Sequence, residues 1–337
     1  MAGEEVLLEL RHLKKHFPIR SGFWKQTVGY VKAVDDVSFV LPRGQTLGLV
    51  GESGCGKTTL GRCVVRALSA TSGEVLYRAD GGEPVDFLKL GRAEMRRMRK
   101  EIQMIFQDPY SSLDPRMTVY DIIAEPLRVN DMGKGFDIEG RVKELASVVG
   151  LNVSHLKRYP HAFSGGQRQR IGIARALATS PRLVVADEPV SALDVSVQAQ
   201  VLNLLEDLQS MFGLTFIFVA HDLSVVEHIS DRVAVMYVGR IVELAATDAI
   251  FSSPKHPYTE ALMSAVPKPD PRRKMKRIVL QGEVPNPANP PPGCHFHPRC
   301  RYARDICLRE APVFREVSPL HFAACHFAGE IEIKGIQ

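Results

Sequence analysis

One octapeptide constrains the fold of this chain more than any other feature. The sequence GESGCGKT occupies residues 51–58 and directly follows TLGLV, a short and mostly apolar run typical of a buried strand. Its glycines allow the backbone to curl with several N–H groups facing inward, and the pattern that follows predicts a helix from Lys57. A strand, a glycine-rich loop and a helix in this order predict a phosphate-binding loop in an α/β protein.

Each residue type in this loop suits a particular contact with a nucleotide. Lys57 is expected to reach the β- and γ-phosphates, and Thr58 to ligate Mg²⁺ through its hydroxyl. Cys55 lies near the helix N-terminus, so a lowered thiol pKa is a hypothesis for it beside the role of a small packed residue. The other predicted contacts come from Gly51, Ser53, Gly54, Cys55, Gly56 and Thr59.

A second apolar strand ends in two acidic residues. In LVVADEP, residues 183–189, Asp187 stands at the end of the predicted strand and Glu188 follows it. Asp187 is expected to hold the Mg²⁺ shell, and Glu188 to polarise the water that attacks the γ-phosphate. Together with the loop at 51–58, this pair predicts a P-loop NTPase.

The order of patterns along the chain predicts its domains. Strand-rich blocks at residues 1–107 and 182–250 flank a mainly helical block at 108–181, so the sequence predicts an α/β core with an inserted helical subdomain. The composition changes after His256, and the proline-rich stretch 285–292 suits neither a sheet centre nor a helix. Residues 251–337 are therefore expected to form a small C-terminal appendage.

Composition and charge argue against two other classes of protein. No apolar run approaches the roughly eighteen residues that a membrane-spanning helix needs, so the chain is not expected to be a pore. The N-terminal residues lack the pattern of an export signal, which predicts a cytosolic protein. The net charge of +5 is mild, and the basic run 92–100 is interpreted as a solvated helix face rather than a nucleic-acid contact.

The segment FSGGQRQR, residues 163–170, identifies a family. It resembles the signature motif of ATP-binding cassette (ABC) proteins and lies just upstream of the aspartate strand, as it does in that family. The resemblance implies a RecA-like core with an antiparallel β-subdomain, the inserted helical subdomain, and hydrolysis of ATP with Mg²⁺. It spans nearly the whole chain.

The resemblance also implies a head-to-tail dimer in which two ATP molecules are sandwiched. The signature of one subunit would close over the P-loop of the other, so that a monomer cannot complete its own site. Gln107 resembles the glutamine that senses Mg²⁺ and the attacking water, Asp194 belongs to a loop at the dimer interface, and His221 resembles the switch histidine at the γ-phosphate. The signature residues expected at the partner's nucleotide are Ser164, Gly165, Gly166 and Gln167.

The resemblance further implies that the adenine base stacks on an aromatic residue upstream of the P-loop. Phe17, at the end of the first predicted strand, is the first candidate and Tyr30 is the alternative. The segment between them is interpreted as an extended hairpin loop, and a purely structural role for either ring stays open.

Two further segments resemble the oligopeptide/dipeptide importer branch, namely QDPYSSLDPRMTV at 107–119 and HPYTEALMSAVPKPDP at 256–271. This implies peptide import from the cytoplasmic face of the bacterial inner membrane, although related systems carry nickel, opines or oligosaccharides. The implied partners are a second ATPase, homologous or identical, two transmembrane permease subunits and an extracytoplasmic substrate-binding protein, with no nucleic acid. A cassette ATPase acting on DNA or ribosomes is the rival; its long coiled coils or second cassette are absent from this sequence.

Four cysteines gather near the C-terminus, at Cys294, Cys300, Cys307 and Cys325. Their spacing lacks the paired C-x-x-C knuckles of structural zinc sites, and a cytosolic chain disfavours disulfides. Four thiolates suit an iron–sulfur cluster or zinc, and the branch resemblance favours a 4Fe-4S cluster that staples the appendage. Zinc, ordinary thiols and a redox sensor that gates the ATPase are the alternatives.

Overall fold

The computed structural model describes residues 5–79, 82–130, 132, 136–265, 278–333 and 335. The chain divides into two units. We call residues 42–45 and 89–219 the signature unit, and residues 5–41, 46–88 and 220–337 the phosphate-loop unit. The domain boundaries expected from the sequence stay a prediction. Residues 266–271, the end of the second importer motif, lie outside the described residues.

The secondary structure follows the sequence pattern closely in the first 250 residues. The strands are β1 (Val6–Ser21), β2 (Gln26–Pro42), β3 (Thr46–Val50), β4 (Ser72–Tyr77), β5 (Val85–Asp86), β6 (Ile102–Ile105), β7 (Leu183–Asp187), β8 (Thr215–Val219), β9 (Arg232–Tyr237), β10 (Arg240–Ala246), β11 (Arg315–Ser318) and β12 (His321–Ala323). The helices are α1 (Lys57–Val64), α2 (Arg92–Met98), α3 (Val119–Val129), α4 (Ile138–Val148), α5 (Gly165–Leu177), α6 (Val195–Phe212), α7 (Leu223–Ile229), α8 (Thr247–Ser252), α9 (Pro257–Met263) and α10 (Asp305–Arg309).

The phosphate-loop unit contains the antiparallel β-subdomain that the sequence predicted. Its strands lie in the order β2-β1-β4-β5, with β4 antiparallel to both β1 and β5. The first two strands are longer than expected, because only a short turn, closed by the hydrogen bond from Lys25 N–H to the Gly22 carbonyl, separates them. The predicted extended hairpin loop is therefore mostly strand.

A second group of strands in the same unit carries the phosphate loop. Strand β3 is parallel to β9, and β9, β10, β12 and β11 continue in antiparallel pairs. Every residue of β3 is buried, as expected for a strand covered on both faces. The loop at 51–56 begins where this buried strand ends.

The C-terminal residues extend one sheet of the phosphate-loop unit. Strand β12 pairs with β10, so the residues after 310 add two strands to this sheet. Helix α9 is buried on most of its surface, with Tyr258 fully inaccessible. Apolar burial and strand pairing thus attach this region to the phosphate-loop unit, and its description as an appendage at 251–337 stays a prediction.

The signature unit combines three parallel strands with helices. Strand β7 lies between β6 and β8, and both pairings are parallel. Helices α3, α4 and α5 pack on one another within this unit. Within the described residues, no helix is long and apolar enough to cross a membrane.

Candidate nucleotide-binding site

The phosphate-binding loop has a backbone that only glycine accommodates at two positions. Gly51 and Gly56 have φ angles of 150° and 113°. A Cβ at Gly51 would collide with the Met236 carbonyl, and one at Gly56 with the Ala33 carbonyl. These collisions explain why the motif needs glycine where the loop leaves β3 and where it enters α1.

Lys57 is held inside the loop that it serves. Its side chain is buried, and its ammonium donates to the carbonyls of Gly51 at 2.7 Å and Glu52 at 3.1 Å. The amine therefore sits at the centre of the curled backbone, the position from which a P-loop lysine meets phosphate oxygens.

The other predicted loop residues divide by exposure. Ser53 and Gly54 are exposed at the outer turn, whereas Thr58 and Thr59 are half-buried in the first turn of α1. Cys55 is 2% exposed, and burial raises the pKa of its thiol, although the nearby Lys57 ammonium opposes this shift. The hypothesis of a lowered Cys55 pKa is therefore wrong, because desolvation outweighs the helix N-terminus.

The acidic pair lies at the end of β7 in the signature unit. Asp187 is 1% exposed, and Glu188 follows with a φ angle of 46°, in the left-handed region that non-glycine residues rarely adopt. The Glu188 N–H donates to the Val219 carbonyl, and its own carbonyl accepts from the Ser191 N–H and hydroxyl. These bonds keep Glu188 in a strained conformation of the kind found at functional sites.

Gln107 and Glu188 are brought together by the fold. Gln107 follows β6 and Glu188 follows β7, and these two strands are parallel neighbours. The Gln107 side-chain amide donates to a Glu188 carboxylate oxygen at 2.8 Å. Because the carboxyl ends of parallel strands meet at one edge of a sheet, residues 81 positions apart share a site.

The signature residues form the N-terminus of α5. Ser164 and Gln167 cap each other: the Ser164 hydroxyl accepts from the Gln167 N–H, and the Gln167 side-chain oxygen accepts from the Ser164 N–H. This capping box leaves Ser164 and Gln167 on an exposed helix start, with Gly165 and Gly166 between them half-buried. A Cβ at Gly166 would collide with Val197, so the glycine permits close packing within the unit.

Two arginines to which the sequence analysis assigned no role connect this helix to the Gln107 segment. The Arg175 guanidinium donates to the Ser112 carbonyl at 2.6 Å, and burial lowers the pKa of Arg175. The Arg168 guanidinium lies 4.2 Å from the centre of the Tyr110 ring. The partners of both arginines are distant in sequence, so no local pattern indicates these contacts.

The remaining nucleotide candidates are exposed. Asp194 is the N-cap residue of α6 in the signature unit, and its side chain makes no capping bond. His221 belongs to the phosphate-loop unit, one residue after Ala220, whose N–H donates to the Leu49 carbonyl of β3. Thr58 and Asp187, both predicted Mg²⁺ ligands, belong to different units.

The two adenine candidates lie on neighbouring strands. Phe17 is half-buried on β1, with the Lys15 ammonium 4.8 Å from its ring centre. Tyr30, on β2, is 50% exposed. Both rings stay candidates, because neither strand position distinguishes them.

All four C-terminal cysteines line one small cavity in the phosphate-loop unit. Burial, with a smaller contribution from the neighbouring thiols, raises the pKa of Cys294 to about 12 and that of Cys300 to about 11. No group of three histidine, cysteine or acidic side chains in the described part of the chain is arranged to hold a metal ion. The four thiols thus share one cavity, but the described residues show no arranged zinc or 4Fe-4S site.

Solved structures show the same fold. The dimeric post-hydrolysis state of the ATP-binding cassette MJ0796, bound to ADP and Pi, matches with a TM-score of 0.61 and 26% identity over 72% of this chain and 99% of that chain. The cassette cbiO1 of Clostridium perfringens, part of an ABC transporter complex, matches with a TM-score of 0.60 and 25% identity over 74% and 91%. The fold and its phosphate-binding loop are those of an ABC-type P-loop NTPase.

Sequence relatives define the family. Residues 34–191 match the family described as ABC transporter, and residues 242–307 match the oligopeptide/dipeptide transporter C-terminal region. The chain is 54% identical over 96% of its length to the oligopeptide transport ATP-binding protein AppF of Bacillus subtilis (strain 168), of which 98% is covered. It is 52% identical over 96% of its length to the probable peptide ABC transporter ATP-binding protein y4tS of Sinorhizobium fredii, of which 90% is covered. The chain belongs to the ABC transporter family of ATP-binding proteins, in the oligopeptide/dipeptide branch.

Proposed function

We propose that this chain hydrolyses ATP to power the import of peptides across the bacterial inner membrane. One observation carries the ATPase assignment: the Gln107 amide holds the Glu188 carboxylate at the end of the buried strand β7. A fixed carboxylate beside a strand end is suited to orient a water molecule. The names of the relatives supply the peptide class.

Each residue of the proposed site has a role that follows from its chemistry. Lys57 neutralises charge on the β- and γ-phosphates, with His221 beside the γ-phosphate, while Glu188 accepts the proton of the attacking water. The oxygen donors Thr58, Gln107 and Asp187 are of the type that Mg²⁺ prefers, and would hold it. When bound, Mg²⁺ supplies charge neutralisation at the phosphate oxygens.

The exposed signature turn supports action in trans. Ser164, Gly165, Gly166 and Gln167 would contact the nucleotide of a partner ATPase, with Asp194 at the same interface, and the adenine would stack on Phe17 or Tyr30. Two permease subunits and an extracytoplasmic binding protein complete the proposed complex, with this chain bound at the cytoplasmic face of the membrane. ATP binding would close the dimer and hydrolysis would reopen it.

Purification from membranes through a tag on this chain tests the assignment. We expect two permease subunits and a second ATPase to co-purify, and reconstituted vesicles to accumulate labelled oligopeptide only with ATP and the binding protein. ATP-dependent accumulation of nickel or an oligosaccharide, without any of peptide, would contradict the peptide assignment. Recovery of the chain on nucleic acid or ribosomes would contradict the transport function itself.

We also propose that Cys294, Cys300, Cys307 and Cys325 bind a 4Fe-4S cluster. The proposal is supported by four sulfur donors around one cavity, since four cysteine thiolates are the ligand set of such a cluster. Bound, the cluster would supply a cross-link between these segments. Anaerobic protein should contain about four iron and four sulfide per chain. Stoichiometric zinc, or no metal, would contradict this proposal and leave the ATPase assignment intact.

A further inference from the structure

Glu52, a residue of the phosphate-binding loop, is held by two residues from the C-terminal region. The Arg299 guanidinium donates to both carboxylate oxygens of Glu52, at 2.7 and 2.9 Å. The Tyr258 hydroxyl accepts from the Glu52 N–H at 2.8 Å. Both the side chain and the peptide N–H of one loop residue are thus fixed by residues more than 200 positions away.

We call Arg299 and Tyr258, with their bonds to Glu52, the clamp, and it lies in the interior of the phosphate-loop unit. The Arg299 side chain is 6% exposed and that of Glu52 is 27% exposed. A two-pronged pair between arginine and carboxylate constrains orientation as well as distance. Water therefore competes weakly for this pair, and its geometry is well defined.

Aromatic packing fixes the residues that form the clamp. Three aromatic rings pack together, with 4.5 to 5.4 Å between their centres: Tyr237, Tyr258 and Phe296. The Tyr237 hydroxyl also accepts from Arg299 at 3.3 Å. Arg299 and Tyr258 therefore have little freedom to follow a loop that moves.

The same loop residue is connected to the lysine that meets phosphate. The Lys57 ammonium donates to the Glu52 carbonyl, and the Cys55 N–H donates to that carbonyl as well. A rotation of the Glu52 peptide would displace both groups and redirect the N–H groups of the loop. The position of Glu52 thus sets the shape of the phosphate cradle.

We propose that Arg299 and Tyr258 are positioning residues for ATP binding, acting through Glu52 to hold the phosphate-binding loop in its competent shape. Neither residue is assigned a contact with nucleotide. The C-terminal region is then a structural part of the ATP site, beyond any role in binding metal. This inference rests on the proposed ATPase function.

The test is the separation of KM from kcat in the tagged complex. For Arg299→Gln we expect the ATP KM to rise about tenfold, while kcat at saturating ATP changes less than about twofold, because the loop is misplaced only before nucleotide binds. Arg299→Lys keeps the charge without the two-pronged geometry. Its ATP KM should lie between those of the wild type and Arg299→Gln. Tyr258→Phe removes one hydroxyl and should raise KM about threefold.

Arg301→Gln is the matched control. Arg301 also flanks Cys300 and pairs with a buried acid at 2.7 Å, but its ion-pair partner is Glu260 of α9 and not a residue of the phosphate-binding loop. The ATP KM of Arg301→Gln should equal that of the wild type. All variants should contain the same amounts of iron, sulfide and zinc as the wild type. If Arg299→Gln prevents folding, Glu52→Gln provides the same readout from the other side of the pair.

The double variant Glu52→Gln/Arg299→Gln completes the test. We expect its KM to match that of either single variant, because both changes break one pair. An unchanged KM in Arg299→Gln and Glu52→Gln, or an equal rise in Arg301→Gln, would overturn the positioning role. A wild-type complex that hydrolyses no ATP would instead overturn the proposed function, so the two failures are distinguishable.

Discussion

The two glycine-rich helix starts of this chain differ in what supports them. The phosphate loop before α1 is held from several sides: Lys57 bonds its carbonyls, Gly239 N–H bonds the Cys55 carbonyl, and Glu52 is clamped. The signature turn before α5 is capped by its own residues, Ser164 and Gln167, which are both exposed. The phosphate loop is preformed within the chain, whereas the signature turn presents a short exposed edge.

The phosphate loop and the signature turn therefore obtain their shapes in different ways. A preformed phosphate loop can bind nucleotide in a single chain, since the cost of ordering it is met by folding. The signature turn exposes Ser164 and Gln167, so its contribution to catalysis is expected only when a partner's nucleotide covers it. Loss of the phosphate loop should abolish ATP binding. Loss of the signature turn should spare ATP binding and reduce the rate of ATP hydrolysis.

The largest effect is expected from Lys57→Ala. This change removes the buried ammonium and should weaken ATP binding by at least about 100-fold, with ATP hydrolysis undetectable. Calorimetric titration of MgATP checks the binding. Lys143→Ala, which removes a surface lysine paired with Glu139, is the control and should bind ATP normally. Normal turnover by Lys57→Ala would show that the loop is not the ATP site.

An intermediate effect is expected from Ser164→Ala. Turnover by the complex should fall about 10- to 100-fold while the Kd for ATP of the isolated chain stays within about twofold of the wild type. Loss of the cap itself should lower the free energy of unfolding by about 1 kcal/mol.

Asp137→Ala separates the two effects of that substitution. Asp137 caps α4 through the Gly140 N–H, so its loss should cost similar stability without lowering turnover. Equal losses of activity in both variants would mean that Ser164 acts only as a helix cap.

The smallest expected effect is a pH dependence of stability at Asp35. This residue bonds Gly239, whose N–H donates to the Cys55 carbonyl. The Asp35 N–H donates to the Gly239 carbonyl, and its buried carboxylate pairs with Arg240 at 2.8 Å and His16 at 3.0 Å. Burial alone raises the pKa of Asp35, but the hydrogen bonds from Arg240 and His16, with the charges of Arg240 and Lys32, lower it overall below its ordinary value of 3.8.

A lowered folded-state pKa stabilises the protein above about pH 4, and this stability is lost as the pH falls through the folded-state pKa. Asp35→Asn should therefore lower the free energy of unfolding by about 1 kcal/mol at pH 7, and by less at pH 3. Denaturant titrations at both pH values measure this. Asp36→Asn, at an exposed pair with His12, should have little effect at either pH. A pH-independent difference for Asp35→Asn would contradict the assignment.

Local patterns predicted much of the fold and one cradle in detail. Strands β3 and β7 begin and end at the predicted residues, because apolar runs bounded by glycine or acidic residues carry a strong local signal. The start of α5 followed from the signature, whose serine and glutamine form a capping box. The Gln107–Glu188 contact was not predicted, because the roles of the two residues were inferred separately.

Long-range contacts account for what the sequence did not reveal. Arg299 reaches Glu52 across 247 positions, and β12 is a three-residue strand recognisable by its pairing with β10 and β11. The error at Cys55 has the same origin, since the helix N-terminus is a local feature but burial depends on packing by distant parts of the chain. Such contacts have no periodic signal in one sequence.

Glu188→Gln in the tagged complex tests the central claim most directly, that hydrolysis depends on a carboxylate fixed by Gln107. We expect ATP turnover to fall at least about 1,000-fold while the complex still binds MgATP and retains it unhydrolysed in a closed dimer. The surface variant Glu139→Gln should hydrolyse ATP at the wild-type rate. Wild-type turnover by Glu188→Gln would contradict the account.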